Sequence, residues 1–168
     1  MSFDPAKAKL TIGSLDDNTT VSAQYNPKEL QVDQTVPWKK PQAANQSGAD
    51  KSPGKDENYL TLEFVGAEGR TMSVEMLFDG YEDNKSIAKS VADLEHMARV
   101  RDPSSAQDAQ RRPHHCIVSW GERGLPKFKC VIEKLSTKYT MFSSEGTPLR
   151  ATCTVQLKEA ERVEKAKK

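Results

Sequence analysis

Period-two alternation of apolar and polar residues recurs along most of this chain, and one stretch of helical period interrupts it. Leu60, Leu62 and Phe64 alternate with Thr61 and Glu63, and after Gly66 to Arg70 a second run gives Met72, Val74, Met76 and Phe78. The pattern returns at Ile117 to Trp120, at Phe128, Cys130 and Ile132, at Leu135, Thr137, Tyr139 and Met141, and at Ala151, Cys153, Val155 and Leu157. Successive side chains on a strand point to opposite faces, so each run predicts a strand with one buried face. The first two predict a β-hairpin across Gly66 to Arg70, and the phase slip between Ile132 and Leu135 predicts a bulge near Glu133-Lys134. Upstream, from Ala8 to Val36, short apolar runs separated by Asp16-Asp17-Asn18 and Asn26-Pro27 predict two or three more strands.

Residues 84 to 101 change period: Ile87, Val91, Leu94 and Ala98 form one stripe with Met97 beside it, while Lys85, Lys89, Asp93 and Arg99 face away. This is the one predicted helix. Asn84 or Ser86 is placed to cap its start, and Asp102-Pro103 to end it. Residues 37 to 58 hold three prolines, two glycines and a single large apolar residue, Trp38, which predicts a long flexible loop. A large apolar ring in a polar segment must dock, either on its own domain or on a neighbour. The expected organisation is therefore one domain over residues 1 to 159, carrying the 37–58 loop, and a charged tail over 160 to 168. In that tail Glu161 with Lys165 and Glu164 with Lys168 are spaced to pair along a helix turn.

About eight strands and one helix must be covered by 168 residues that are only 36% hydrophobic and 29% charged, with a mean hydropathy of −0.72. So little apolar material cannot bury every strand edge, and an open edge presents unpaired N–H and C=O groups. The sheet is expected to close on itself or to pair with a neighbour. Lys and Arg number 25 against 24 Asp and Glu, a net charge of +1, which argues against a nucleic-acid or membrane-surface binder. No apolar run exceeds three residues, so none spans a bilayer or forms the core of a signal peptide, and a cytoplasmic location is expected.

Chemistry is sparse. The common nucleophile, metalloprotease and nucleotide-binding motifs are missing. The cluster His114-His115-Cys116 is the most suggestive, but on a strand His114 and Cys116 share one face and His115 takes the other, too few convergent ligands for a closed zinc site. His96 is the remaining histidine. Cys116, Cys130 and Cys153 are an odd count on strands and read as buried free thiols. Asp16-Asp17 and Glu82-Asp83 fall at turns, where carboxylates accept backbone hydrogen bonds. Arg111, Arg112, Lys127, Lys129, Lys134 and Lys138 read as a solvated face interrupted by Glu133 and Glu145. Trp120, ahead of Gly121, reads as core.

Several stretches, taken in order, carry a resemblance: Tyr25-Asn26-Pro27-Lys28-Glu29, Met76-Leu77-Phe78-Asp79, Arg112-Pro113 leading to Val118-Ser119-Trp120-Gly121, and Phe128-Lys129-Cys130-Val131-Ile132. Tyr139-Thr140-Met141-Phe142 and Gly146-Thr147-Pro148-Leu149-Arg150-Ala151 follow. From about Leu10 to Glu159 the chain resembles the tube proteins of contractile injection systems, phage-tail-like particles such as antifeeding prophages and Photorhabdus virulence cassettes. The resemblance implies a mainly β tail-tube fold, two packed antiparallel sheets or a β-barrel with a flanking helix, assembled as a hexameric ring around a lumen. It implies a structural role without catalysis or cofactor, as a tube initiator or inner-tube protein between the spike hub and the tube at the baseplate, and assembly into a particle that can leave the cell. The implied partners are further copies of the chain, the hub, other tube proteins and baseplate components. The LysM-type module that often follows such domains has no counterpart before Lys168, which favours a plain tube or initiator role. Candidate subunit-interface residues are Tyr25, Asn26, Pro27, Trp38, Trp120, Gly146, Pro148 and Arg150. Two rivals stand beside this reading: a secreted ring-forming protein of a type VI-like system, and a free-standing β-barrel binding module or small enzyme using His114, His115 and Cys116.

Overall fold

Alternation becomes nine strands in a computed structural model that describes residues 8–41 and 61–163. Most of the 37–58 loop, Leu60 of the first alternating run, and Glu164, Lys165 and Lys168 of the tail lie outside the described residues. Seven strands form one antiparallel sheet: β1 (Leu10–Ser14), β2 (Thr20–Ser22), β3 (Gln31–Asp33), β6 (Thr71–Asp79), β7 (Cys116–Trp120), β8 (Phe128–Phe142) and β9 (Pro148–Glu159). Their order is β2-β1-β7-β8-β9-β6-β3. A separate two-stranded ribbon pairs β4 (Trp38–Lys39) with β5 (Glu63–Phe64). The chain divides into two compact units, residues 34–69 with the ribbon and the remainder with the sheet and the helix α1 (Ala88–Ala98).

The sheet buries one face because its sequences alternate. Met72, Val74, Met76 and Phe78 on β6 and Ala151, Cys153, Val155 and Leu157 on β9 are 0–3% exposed. They pack with Leu10, Ile12, Val118, Phe128, Cys130 and Ile132 into a single apolar cluster. Helix α1 lays Val91, Leu94 and Met97 on it. Cys116, Cys130 and Cys153 are free and buried in this cluster, as the sequence predicts. The seven strands do not close into a barrel among the described residues, and no ladder joins β2 to β3. A side chain makes the nearest link between the two halves. Gln24, just past β2, donates to the carbonyl of Asp79 at 2.6 Å and accepts from its N–H at 2.7 Å.

Three local expectations are corrected. The predicted hairpin of the Leu60–Phe64 run with β6 does not form: β5 pairs with β4, and Leu62 and Phe64 stay exposed. Strand β6 instead ladders along β9 from Thr71–Lys158 to Asp79–Arg150. Alternation marks a strand but not its partner, and a nine-residue ladder over a core outweighs a local hairpin. The helix is shorter than 84 to 101 at both ends. Asn84 sits in a left-handed turn (φ 47°), and the Ile87 N–H donates to the Pro148 carbonyl, tying that segment to the sheet. Ser86 does accept from the Ala88 N–H, at 3.1 Å. At the other end Arg99 is already extended, Val100 bridges Pro113, and the Arg101 N–H donates to Arg112. Those tertiary bonds, rather than Asp102-Pro103, stop the helix.

The predicted bulge is present, with a register shift between Ile132 and Lys134. The turn from β6 toward α1 depends on Gly80. A Cβ there would lie 1.9 Å from the Lys85 carbonyl oxygen, so the close approach admits no side chain.

Candidate functional site

The four-stranded part of the sheet, β8-β9-β6-β3, is incomplete on both sides. On its β7 side, β8 is paired only at Phe128, Lys129 and Cys130, so among the described residues its long continuation to Phe142 has no strand on that flank. On the far side, β3 covers β6 only from Thr71 to Ser73, and among the described residues Val74 to Asp79 have no strand partner there, the Asp79 N–H and carbonyl being taken by the Gln24 side chain. Each flank therefore carries a row of backbone donors and acceptors open to a further strand.

The face of this region turned away from the core is polar. Across it run the rows Ser73–Gln156–Lys134, Glu75–Thr154–Ser136 and Leu77–Thr152–Lys138, in which Leu77 is the large apolar side chain, with Val131 and Met141 in the rows on either side. Strands of this kind are not meant to be buried on that side. Arg150, at the next step, donates twice to the same carboxylate oxygen of Asp79, at 2.7 and 3.0 Å. The Tyr81 N–H, and after it that pair, hold the Asp79 carboxyl below its ordinary range.

The sequence-derived interface candidates fall in four places. Tyr25, Asn26 and Pro27 follow β2, and Asn26 accepts from the Leu10 N–H at 3.0 Å and donates to the Ala8 carbonyl at 2.8 Å. Trp120 ends β7 beside them, half-buried against the core, its indole N–H donating to the same Ala8 carbonyl at 3.2 Å. Gly146 (φ +83°) forms the β8–β9 turn, where a left-handed residue is needed, and Pro148 and Arg150 begin β9. Gln24, next to Tyr25, bonds the backbone of Asp79, the partner of Arg150, so the first and third groups share one hydrogen-bonded chain. Trp38 stands apart in the ribbon, 55% exposed, its ring edge-on to Phe64 with centroids 5.5 Å apart. Among the described residues its ring partner is thus one that is itself 58% exposed.

His114, His115 and Cys116 do not converge. His114 is buried and shares a hydrogen bond with Ser14 Oγ at 2.8 Å; His115 points the other way, toward the Ala160 carbonyl at 2.7 Å; Cys116 is buried, its thiol pushed up to about 12 by desolvation. A nucleophilic thiolate is not available from such a group.

What the sequence did not signal is a different grouping, Asp17 with His96 and His114. His96 Nε2 lies 2.9 Å from Asp17 Oδ2, His114 Nδ1 lies 3.8 Å from the same oxygen, and the two rings are 4.6 Å apart. The His96 hydrogen bond chiefly holds the Asp17 carboxyl well below the usual carboxylate range, while burial pushes the His114 imidazole down. These residues are distant in sequence, and no spacing rule could have joined them.

Beside them Asp16 accepts from both terminal nitrogens of Arg112 (2.8 and 3.0 Å) and from the His115 N–H (2.8 Å), and Arg101 lies 3.4 Å away. Arg112 and Arg111, which pairs with Asp108, are thereby drawn into local ion pairs. The concavities among the described residues are shallow, one beside Trp120 to Leu125 and one between the Asp17–Thr20 turn and Lys89 and Asp93 of α1. No helix among the described residues is long and apolar enough to cross a membrane.

Taken together, these features define a mainly β subunit whose sheet, among the described residues, offers open strand edges on two flanks and a polar face between them. The chain belongs to the contractile injection system tube proteins: the model of that family matches residues 6–168, essentially its full length. No curated protein matches it closely. Members of this family are structural, not normally enzymatic, and the chain is accordingly a β-rich component that assembles with other parts of an injection particle.

Proposed function

We propose that this tube protein forms a hexameric ring at the baseplate end of the particle and acts as a tube initiator between spike hub and tube. The observation that carries the ring is the pair of open flanks on one four-stranded, antiparallel region. Its outer strands, β8 and β3, run in opposite directions because each neighbour reverses the last. Rotation about an axis along the strands keeps direction, so β8 of one copy meets β3 of the next antiparallel, the more stable pairing, with the uncovered part of β6 alongside. Such a head-to-tail joint uses two different surfaces and closes into a ring when the rotation allows.

The polar face would then line the lumen. Small hydroxyl and lysine side chains there stay solvated while the core face keeps the helix outside. The initiator position is favoured over a main-tube position by the family resemblance of the motifs; a secreted ring-forming protein of a type VI-like system shares the same ring and differs in whether it leaves the cell. Assembly in the cytoplasm, before any release of the particle, accompanies the proposal.

Light-scattering mass together with negative-stain images of the same chromatographic peak tests the ring. Six-fold rings or stacked rings are expected, and a monomer that stays monomeric with purified hub and tube proteins overturns the proposal. Position is tested by quantifying copies per isolated particle and by immunogold labelling. An initiator gives label confined to the baseplate end, whereas label along the whole tube places the chain in the main tube.

A further inference from the structure

The Asp17, His96 and His114 cluster is unused by ring formation. Three elements bring it together: the β1–β2 turn supplies Asp17, the last turn of α1 supplies His96, and the segment leading into β7 supplies His114. Each is anchored independently of the cluster. The turn is held by the three groups that bind Asp16, α1 is seated by Leu94 and Met97, and the His114 N–H donates to the Met97 carbonyl at 3.3 Å. The three side chains are therefore held in place rather than gathered by chance on a mobile surface.

Their protonation follows from the hydrogen bonds. Ser14 Oγ accepts from the Asp16 N–H (3.1 Å) and the Asp17 N–H (3.2 Å), which leaves its own proton for His114 Nδ1 at 2.8 Å. The one lone pair of that nitrogen accepts the Ser14 proton, and the ring proton sits on Nε2, so an ion at Nδ1 takes the place of the Ser14 hydrogen bond. His96 Nε2 faces Asp17 Oδ2 from the solvent side, where its side chain is 53% exposed.

We propose that this cluster is a binding site for a divalent transition-metal ion, of the zinc or cobalt type, with His96 Nε2, His114 Nδ1 and Asp17 Oδ2 as ligands. Two imidazoles and a carboxylate suit these borderline ions better than calcium or magnesium, which take oxygen donors. Ligand bonds of about 2.1 Å at tetrahedral angles separate donor atoms by roughly 3.4 Å. Here two of the separations are 2.9 and 3.8 Å and the third is within 4.8 Å, so changes of at most about 1.4 Å in separation, with the Ser14 hydroxyl turned off Nδ1, bring the three donors to that spacing. His96 ligates through the Nε2 lone pair with its ring proton on Nδ1, and the ion displaces the hydrogen bond between Nε2 and Asp17. Three protein ligands leave the remaining coordination positions to water on the exposed side. The bound ion would clamp the end of α1 to the β1–β2 turn and to the start of β7.

Equilibrium dialysis and visible absorption with Co²⁺, and thermal unfolding with Zn²⁺, test this on the full chain. One equivalent of Co²⁺ per chain is expected, with at least a tenfold loss of affinity in both His96→Ala and Asp17→Asn and no change in His115→Ala, whose ring faces Ala160. Zn²⁺ should raise the unfolding temperature of the parent and of His115→Ala but not of His96→Ala. Because His96 is exposed, that variant keeps the fold, which circular dichroism checks. The proposal is overturned by equal Co²⁺ affinity in the parent and His96→Ala, by binding below one equivalent, or by a thiolate-to-cobalt band assigning the metal to cysteines.

Discussion

Arg70 and Glu159 join the start of β6 to the end of β9 through one carboxylate. Glu159 accepts from the Arg70 backbone N–H at 2.9 Å and from two guanidinium nitrogens at 3.0 and 2.6 Å. The Arg70 side chain and N–H together lower the Glu159 carboxyl from 4.5 to about 2. A folded-state value below the unfolded one means stabilisation that is complete above about 4.5 and is lost as pH falls toward 2. Glu159→Gln should therefore unfold at lower urea than the parent at pH 7, and the gap between the two midpoints should shrink steadily below pH 4.5. A gap that stays constant down to pH 2.5 would show that the charge is not what the carboxylate contributes. At Asp16 another carboxylate is held by Arg112, Arg101 and His115, and a turn residue that looked merely like a backbone acceptor proves to organise a whole corner of the fold.

Helix α1 depends on packing more than on its own ends. Its N-cap residue, Ile87, makes no side-chain cap bond, its first turn carries no acidic residue, and only three of its side chains are fully buried. Eleven residues are too few for a stable isolated helix, so the contact of Val91, Leu94 and Met97 with the sheet supplies most of its stability. Leu94, 0% exposed, is the centre of that contact. Leu94→Ala should cost about 2–5 kcal/mol in urea unfolding, from lost burial plus the cavity left behind. A cost under about 1 kcal/mol would mean that the sheet stands without its helix. The same element scale explains where alternation misled. Leu62 and Phe64 have the strand pattern, but a partner with a long matching ladder takes β6 away from them, and the β5 segment is left with Trp38 and Lys39.

At the scale of the molecule, the seven strands do not close on themselves among the described residues, and the proposed ring would extend the sheet from copy to copy. Trp38 bears on this, because a ring 55% exposed beside an exposed Phe64 contributes little to the stability of its own chain. If the ribbon reaches an adjacent subunit or ring, Trp38→Ala should leave the unfolding midpoint of the chain unchanged while reducing ring formation or stacking in light scattering and negative-stain images. Unchanged assembly would remove Trp38 from the list of interface residues.

The strands, the helix and the free thiols were legible in the sequence because each is set by local periodicity: two for Met72 to Phe78 and Ala151 to Leu157, about 3.6 for Val91, Leu94 and Met97. The bulge near Glu133 was legible as a slip of that phase. Strand partners and helix ends were not, since they depend on hydrogen bonds such as Ile87 to Pro148 and Arg101 to Arg112 between residues far apart along the chain. The edge surplus could be inferred from composition, but only the register of β6, β8 and β9 located the open flanks. For the Asp17, His96 and His114 cluster the chain carries no local signal at all. Periodicity fixes which way a side chain points from its own element, and only the packing of a turn, a helix and a strand decides which side chains meet.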